Sequence, residues 1–366
     1  VLVEEKSSVR ILTLNRPKQL NALCFSMISR LLQLFLAYEA DPDVKLVILK
    51  GQGRAFCAGG DVLPVVNDIK LGISDITLPS FIRQVSILNG IVMGGGAGVS
   101  IHRRFRIATE KTVFAMPETE LGLFPDIGAS YFLSRLPGFL VKKYVGLTGT
   151  RLDGAEMLAC GLATHFVPST KLAALEADLC RIGSSYPIFI SKILDAYSQH
   201  PDLKQESAYH RQVNMTLPLL FLSTCLYCTS TMPTSQAFLR FSEREVTQEP
   251  HDWISATIAA LKKASPASLK ISLRSIREGR SQGVGQCLIR EYRMVCHVIK
   301  GDISKDFVEG CRAILIDRDR NPKWDPPRLE EMKDSMVDQY FKRVEEQEDL
   351  KLPKRNNLPA SAISKL

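Results

Sequence analysis

Residues 44–61, Val-Lys-Leu-Val-Ile-Leu-Lys-Gly-Gln-Gly-Arg-Ala-Phe-Cys-Ala-Gly-Gly-Asp, form the stretch from which the fold can be predicted. The mostly apolar run from Val44 to Leu49 closes at Gly51, which is typical of a strand buried on both faces. The small residues that follow let the backbone approach a ligand and aim successive N–H groups outward, where they could stabilise an oxyanion. Taken alone, however, this stretch fits an ordinary Gly-Gly turn somewhat better.

The sequence on either side of this stretch predicts alternating strands and helices. Residues 9–14 form a short apolar run before a turn, and from Ser26 apolar residues recur at helical spacing as far as Asp41-Pro42. A strand, a helix and a strand in this order indicate an α/β arrangement. Further strands are predicted at 85–88, 105–108 and 112–115, and a helix with a capping box at 153–161.

The C-terminal part of the chain has the apolar spacing of helices. Ser265-Pro266 predicts the start of one helix, with Pro at its first position. The stripes predicted for the next two helices are Leu288, Tyr292, Val295 and Ile299, and then Phe307, Cys311 and Leu315. We therefore divide the chain into a core at residues 1–200 and a mainly helical region at residues 201–366.

A second glycine-rich segment, Asn89–Gly98, contains three consecutive glycines between a predicted strand and a predicted helix. It lacks the Gly-x-Gly-x-x-Gly spacing of a dinucleotide site and the Gly-Lys-Ser/Thr of a P-loop. A backbone N–H group at a helix N-terminus suits an anionic oxygen. Two such turns at the ends of two strands could therefore supply two donors to one carbonyl oxygen.

Two carboxylates eight residues apart lie among apolar neighbours. Glu118 follows Met116-Pro117, and Asp126 lies within Leu123–Gly128. An apolar setting raises the pKa of a carboxyl group and suits it to acid–base chemistry. The spacing by itself equally allows two surface acids on a loop.

Together these three stretches resemble the crotonase (enoyl-CoA hydratase/isomerase) superfamily. The order and spacing of residues 55–61, 93–96 and 116–118 carry the resemblance. Several other segments are similar to the 3-hydroxyisobutyryl-CoA hydrolase branch, and the whole resembles the plant peroxisomal members. These segments are residues 121–128, 131–136, 265–271, 306–313 and 321–324.

The resemblance implies a spiral of ββα units with a helical C-terminal region, and an enzyme that hydrolyses the coenzyme A thioester 3-hydroxyisobutyryl-CoA in valine degradation. By motif, the backbone N–H groups of Gly60 and Gly95 would form an oxyanion hole. Glu118 would either attack the thioester carbonyl, giving a mixed anhydride, or activate water. Asp126 would bind the 3-hydroxyl group and assist proton transfer. No cofactor or metal is implied, because coenzyme A is part of the substrate.

Two other functions remain open at the level of sequence. A hydratase or isomerase of the same superfamily typically brings two glutamates to the alkene, whereas this chain offers Glu118 with Asp126, which favours hydrolysis. A non-catalytic paralogue could still bind acyl-CoA. His165 is a conceivable base, but no motif pairs it with a nucleophile, so we expect a structural role.

The composition of the chain argues against several classes of binding partner. Apolar residues make up 45% of the 366, enough for a sizeable core, and the net charge of +8 comes from scattered residues, which argues against nucleic-acid binding. The single Cys-x-x-Cys, Cys225/Cys228, lacks the second pair of a zinc site. The apolar run 217–222 is far shorter than the roughly 20 residues that span a bilayer, so membrane insertion is not expected. Homo-oligomerisation is left open.

The last three residues, Ser364-Lys365-Leu366, match the address that peroxisomal import receptors recognise. We therefore expect a peroxisomal protein.

Two segments depart from the family pattern, at residues 66–84 and 211–244. The first is short and lacks the family's acidic element, so we expect coenzyme A binding with slower hydrolysis than a version carrying a full-length helical segment. The second lacks a clear helical face, so we expect some loss of stability.

Overall fold

The computed structural model describes residues 1–61, 84–137, 139–204, 207, 252–345 and 347–352. Residues 66–83 of the first departure and all of the second, at 211–244, lie outside the described residues. So do the Cys225/Cys228 pair and the terminal tripeptide Ser364–Leu366. The expectations attached to these segments therefore stay predictions.

Strands and helices alternate through the N-terminal part, and helices dominate the rest. The strands are β1 (Leu2–Lys6), β2 (Val9–Leu14), β3 (Leu46–Gly51), β4 (Ala55–Cys57), β5 (Gln84–Leu88), β6 (Ile91–Met93), β7 (Phe105–Ala108), β8 (Val113–Ala115), β9 (Leu152–Asp153) and β10 (His165–Phe166). The helices are α1 (Phe25–Ala40), α2 (Gly95–Ser100), α3 (Ala129–Leu133), α4 (Phe139–Thr148), α5 (Gly154–Ala159), α6 (Leu172–Cys180), α7 (Pro187–Tyr197), α8 (Asp252–Lys263), α9 (Pro266–Gly279), α10 (Val284–Lys300), α11 (Asp306–Cys311) and α12 (Asp334–Phe341). Single 3₁₀ turns occur at Pro17–Gln19, Glu118–Leu121 and Ser169–Lys171, and a π-helical turn at Arg312–Ile316 follows α11.

Consecutive strands are shared between two sheets. The larger sheet has the order β1-β2-β3-β5-β7-β10, and the smaller has the order β4-β6-β8-β9. Pairing is parallel except for β1 with β2 and β8 with β9. Each pair of successive strands, such as β5 and β6, thus advances one position in both sheets, which is the ββα spiral that the family resemblance implies.

The larger sheet is buried on both faces, as the apolar run at residues 46–49 predicts. Leu46 and Ile48 pack on one side with α6 and α7, whereas Val47 and Leu49 pack on the other side with α1. Side chains alternate between the faces because the period of a strand is two residues. The strands of the larger sheet end beside the beginnings of the smaller sheet's strands, since β3 ends at Gly51 before β4 begins at Ala55, and β5 ends at Leu88 before β6 begins at Ile91.

The predicted helix boundaries are confirmed at two places where capping decides them. Asp153 accepts a hydrogen bond from the Glu156 N–H group, and the Glu156 side chain accepts one from the Asp153 N–H group, as in a capping box. Helix α9 begins at Pro266, with the Ser265 hydroxyl accepting from the Ser268 N–H group.

The stripe predicted for α10 was largely wrong. Only Val295 of that stripe is fully buried, and the other three residues lie at half-buried edges. The buried face instead carries Cys287, Arg290, Glu291, Met294, Val295 and Val298. Apolar spacing alone predicts a different face, because Arg290 and Glu291 on the buried face are charged. Their hydrogen bonds, described below, offset the cost of burying these charges.

The C-terminal helices share a core with the loop that follows the first predicted carboxylate. Phe124 is fully buried against side chains from α9, α10, α11 and α12. The helical region beyond residue 200 therefore contributes directly to the surroundings of residues 118–128. The division of the chain at residue 200 stays a prediction. No helix in the described part of the chain is long and apolar enough to cross a membrane.

Candidate active site

The two glycine turns meet at the carboxyl ends of β4 and β6, which pair in parallel. A Cβ atom added to Gly95 would lie 3.1 Å from the Gly60 backbone nitrogen. The turns can approach so closely because Gly96 has no side chain: a Cβ atom there would lie 2.3 Å from the Cys57 carbonyl oxygen. The structure thus brings together the two glycines that the sequence assigns to the oxyanion hole.

The N–H groups of Gly60 and Gly95 have no acceptor among the described residues. The first turn is tethered on its other side, where Leu23 donates to the Gly59 carbonyl at 2.8 Å and accepts from Asp61 N–H at 2.8 Å. Gly95 is the first residue of α2, where backbone N–H groups lack partners within the helix. Two backbone donors therefore remain available to a ligand oxygen.

Glu118 lies directly beside these donors. It begins the 3₁₀ turn after β8, and its Oε1 atom would lie 2.8 Å from a Cβ atom added to Gly94, whose φ is +46°. The Glu118 side chain is only 5% exposed, and its Oε2 atom has no partner among the described residues. Burial, with a smaller contribution from the Asp126 carboxylate, raises the pKa of Glu118 well above its usual range.

Asp126 is half-buried in the loop that links the 3₁₀ turn to α3. Burial, and next the negative charge of Glu291, raises its pKa to about 7. Glu118 and Asp126 interact electrostatically, so the structure brings both predicted carboxylates into one site. The pKa of both groups is raised, and the value of about 7 suits Asp126 to exchange protons near neutral pH.

The turn after Asp126 has an unusual backbone. Ile127 adopts a φ of +57°, a left-handed conformation that costs a β-branched residue about 1–3 kcal/mol. His102 Nε2 donates to the Ile127 carbonyl oxygen at 2.9 Å, and burial lowers the pKa of His102 to about 4, so this ring is neutral. The Ile127 side chain occupies the space left by Gly98, where an added Cβ atom would lie 2.2 Å from Cγ2 of Ile127.

Glu291, on α10, holds the next residues of the same turn. Its Oε2 atom accepts from Gly128 N–H at 2.5 Å, and its Oε1 atom accepts from Ser130 N–H at 2.9 Å and from the Ser130 hydroxyl. Arg290 donates through Nη2 to the Ser130 Oγ atom at 2.8 Å. Glu291 was not predicted as a functional residue, although its helical spacing with Cys287, Met294 and Val298 places it on the buried face of α10.

The 3₁₀ turn that carries Glu118 is held from the C-terminal side as well. Ser265 N–H donates to the Thr119 carbonyl at 3.1 Å. Helix α11 packs backbone against backbone, since a Cβ atom added to Gly310 would lie 2.4 Å from the Leu121 carbonyl oxygen. The position of Glu118 is therefore set by helices more than a hundred residues further along the chain.

His165 lies elsewhere, on β10 at the edge of the larger sheet. Its Nε2 atom is 3.2 Å from Asp195 Oδ1, and its Nδ1 atom is 2.8 Å from the Thr164 hydroxyl. These contacts support the structural role expected for it. Among the described residues, no cluster of three or more histidine, cysteine or acidic side chains is arranged to hold a metal ion.

The sequence from residue 9 to residue 341 matches the family model described as enoyl-CoA hydratase/isomerase. The chain belongs to this family. A crystal structure of a carnitinyl-CoA dehydratase from Mycobacterium thermoresistibile is 31% identical, with a TM-score of 0.79 over 96% of this chain and 98% of that one. The ββα spiral described above is thus the fold of the enoyl-CoA hydratase/isomerase family.

Two curated relatives from Arabidopsis thaliana are much more similar to this family member. "3-Hydroxyisobutyryl-CoA hydrolase 1" is 71% identical over 380 positions, covering 100% of this chain and 97% of the relative. "Probable 3-hydroxyisobutyryl-CoA hydrolase 3" is 70% identical over 381 positions, covering 100% and 98%. The first alignment exceeds the 366 residues of this chain by 14 positions (380 − 366), so that relative has at least 14 residues without a counterpart here.

Proposed function

We propose that this chain hydrolyses 3-hydroxyisobutyryl-CoA to 3-hydroxyisobutyrate and free coenzyme A, a step of valine degradation. The observation that carries the proposal is a buried Glu118 carboxyl group, whose Oε2 atom has no partner among the described residues, close to two backbone N–H groups that have no acceptor there. This arrangement suits attack on a thioester carbonyl whose oxygen is held by N–H groups. The close relatives named as hydrolases support the same substrate.

In the proposed reaction the Gly60 and Gly95 N–H groups bind the thioester oxygen and stabilise the negative charge that develops on it. Ionised Glu118 either attacks the carbonyl carbon or takes a proton from water that attacks it. In both routes the carbon–sulfur bond breaks, and the coenzyme A sulfur leaves with the bonding electron pair and acquires a proton. In the first route water then cleaves the mixed anhydride and restores Glu118.

In this proposal Asp126 selects substrates that carry a 3-hydroxyl group. With a pKa of about 7, it can carry a proton at neutral pH and can either donate to or accept from the substrate's 3-hydroxyl group. The half-buried Asp126 carboxyl group that binds this hydroxyl would lose that partner with substrates that lack it. The reaction needs only water besides the thioester, so we propose no separate cofactor.

The test is an assay of the purified full chain on 3-hydroxyisobutyryl-CoA, isobutyryl-CoA and an enoyl-CoA. Release of free thiol is measured together with loss of the enoyl absorbance. We expect thiol release with preference for the hydroxylated thioester. Loss of enoyl absorbance without thiol would instead identify a hydratase, and binding of coenzyme A without either reaction would identify a non-catalytic paralogue.

A separate proposal concerns location: Ser364-Lys365-Leu366 directs the chain to peroxisomes through the import receptor. A fluorescent protein fused at the N-terminus leaves this tripeptide free. Deletion of the three residues should change punctate fluorescence into a cytosolic distribution, whereas replacement of Leu358 by alanine outside the tripeptide should not. Punctate fluorescence from the truncated chain would contradict the proposal.

A further inference from the structure

The turn that carries Asp126 is held in a conformation that its own residues do not favour. Ile127 is β-branched and has a φ of +57°, and Gly128 follows with a φ of +80°. Such a backbone persists only where its surroundings determine it from several directions. The groups that hold this turn are therefore candidates for residues that position Asp126.

Glu291 is the group that binds the turn most extensively. Its carboxylate accepts hydrogen bonds from Gly128 N–H, Ser130 N–H and the Ser130 hydroxyl, across a sequence separation of up to 163 residues. Gly128 and Ser130 lie at the N-terminus of α3, where backbone N–H groups need an acceptor. A carboxylate in this place binds the N-terminus of α3 and immobilises the residues that precede it.

Burying the Glu291 carboxylate next to the Arg290 guanidinium costs free energy of desolvation. It is 2% exposed, and its neighbour Arg290 is 7% exposed. Arg290 donates to Ser130 Oγ and to the Ser275 carbonyl, each at 2.8 Å, so the Ser130 hydroxyl links the two buried charges. Buried charges are retained when hydrogen bonds or a function offset the cost of desolvation.

The charge of Glu291 also acts on Asp126, since the pKa of Asp126 is raised by burial and then by Glu291. The other titratable groups around this turn include Glu118, His102 and Cys287, and Glu278 Oε2 lies 3.6 Å from Arg290 Nη1. Glu118 has a raised pKa, and His102 is neutral because burial lowers its pKa. Arg290 is oriented toward Ser130 and Ser275. Burial raises the pKa of Glu291 as well, whereas the hydrogen bonds from Ser130 and Gly128 and the charge of Arg290 favour its ionised form. Glu291 is the acid on α10 that binds this turn directly.

We propose that Glu291 is a positioning residue of this enzyme: it fixes the Asp126–Gly128 turn by accepting hydrogen bonds from the Gly128 and Ser130 N–H groups, and it thereby holds Asp126 where it can meet the substrate's hydroxyl group. The catalytic part of this role rests on the proposed function. The placement of the turn and of the charge can be measured without turnover.

The experiment compares Glu291→Gln, which removes the charge and one acceptor, with Glu291→Asp, which keeps the charge on a shorter side chain. The matched control is Glu156→Gln, because Glu156 is also a buried acid in the N-terminal turn of a helix but caps α5. Two quantities are measured: the ratio of kcat/KM for 3-hydroxyisobutyryl-CoA to that for isobutyryl-CoA, and the ¹³C NMR titration of Asp126, assigned with Asp126→Asn.

We expect Glu291→Gln to lower the titration midpoint of Asp126 by at least one pH unit and to reduce the substrate ratio at least tenfold. Glu291→Asp should keep the high midpoint while the rate falls, because the charge stays and the geometry changes. Glu156→Gln should change thermal stability alone. An unchanged midpoint and equal losses on both substrates in Glu291→Gln would show that Glu291 serves folding alone.

The proposal can still be tested if the parent protein is inactive or if one variant fails to fold. If the parent protein releases no thiol, the proposed function fails, while the Asp126 titration still tests the placement of the Glu291 charge. If Glu291→Gln does not fold, Glu291→Asp carries the test, because it keeps the charge and withdraws the carboxylate from the Gly128 and Ser130 N–H groups. A lower rate on 3-hydroxyisobutyryl-CoA in Glu291→Asp supports the proposal, and a rate equal to that of the parent overturns it.

Discussion

The two sides of the candidate site are built in different ways. The donor side consists of backbone at the ends of β4 and β6, held by strand pairing and by the close approach of Gly96 to Cys57. The carboxylate side consists of Glu118 and Asp126 on a 3₁₀ turn and a loop that the C-terminal helices hold in place. Changes on the donor side should therefore affect every thioester equally, whereas changes on the carboxylate side should affect proton transfer and substrate choice.

The largest effect is expected at the centre of the carboxylate side. Glu118→Gln keeps the shape of the side chain but removes the base or nucleophile, so kcat should fall by about 10³-fold or more. Coenzyme A binding, measured by calorimetry, should remain nearly intact. Glu120→Gln is the matched control, because Glu120 lies on the same 3₁₀ turn, is partly exposed and is 4.0 Å from Lys263. Parent-like activity in Glu118→Gln would exclude this residue from the mechanism.

On the donor side, Gly95→Ala places a methyl group 3.1 Å from the Gly60 nitrogen, where the substrate oxygen should bind. We expect kcat/KM to fall by about 10²–10³-fold, the usual effect of losing an oxyanion donor, and to fall equally for hydroxylated and unsubstituted acyl groups. Gly183→Ala, where no atom lies within 4 Å of the added Cβ, should have no effect. A loss confined to the hydroxylated substrate would contradict the division between the two sides.

Asp126→Ala should separate the two substrates instead. The 3-hydroxyl group loses its partner, so kcat/KM should fall about 10²-fold more for 3-hydroxyisobutyryl-CoA than for isobutyryl-CoA. Parallel kinetics on both thioesters measure this difference directly. Equal losses would assign Asp126 to the chemistry common to both substrates and remove its role in recognising the hydroxyl group.

The smallest effect is on stability. Because the pKa of Asp126 is raised from 3.8 to about 7, the folded state binds more protons than the unfolded state in this window. Stability from this group is therefore greatest below pH 3.8 and declines as the pH rises toward 7 and above. Asp126→Asn cannot ionise, so its melting temperature relative to the parent should be a few degrees higher at pH 8.5 than at pH 5. The same difference at both values would contradict the raised pKa.

Much of the donor side could be predicted from the sequence because it depends on neighbours along the chain. The strand predicted at residues 44–49, found at Leu46–Gly51, and the capping box of α5 follow from local patterns, and the glycines at 60 and 95 follow from the resemblance of their motifs to the family. The same holds for the separate, structural position of His165. The short strands β4 and β6 were missed, because three residues beside glycines carry too little periodicity to be told from a turn.

Local patterns in the sequence determined an α/β arrangement and two carboxylates among apolar neighbours, because periodicity is a property of residues close along the chain. The ββα spiral and the family followed from the resemblance of three motifs in order and spacing. Tertiary structure alone decided how those carboxylates are held and charged. The hydrogen bonds from Gly128 and Ser130 to Glu291 join residues more than 160 positions apart. The buried face of α10 is chosen by these bonds and by apolar contacts together. No local pattern records them, because burial and electric charge depend on what the rest of the chain brings to the same place.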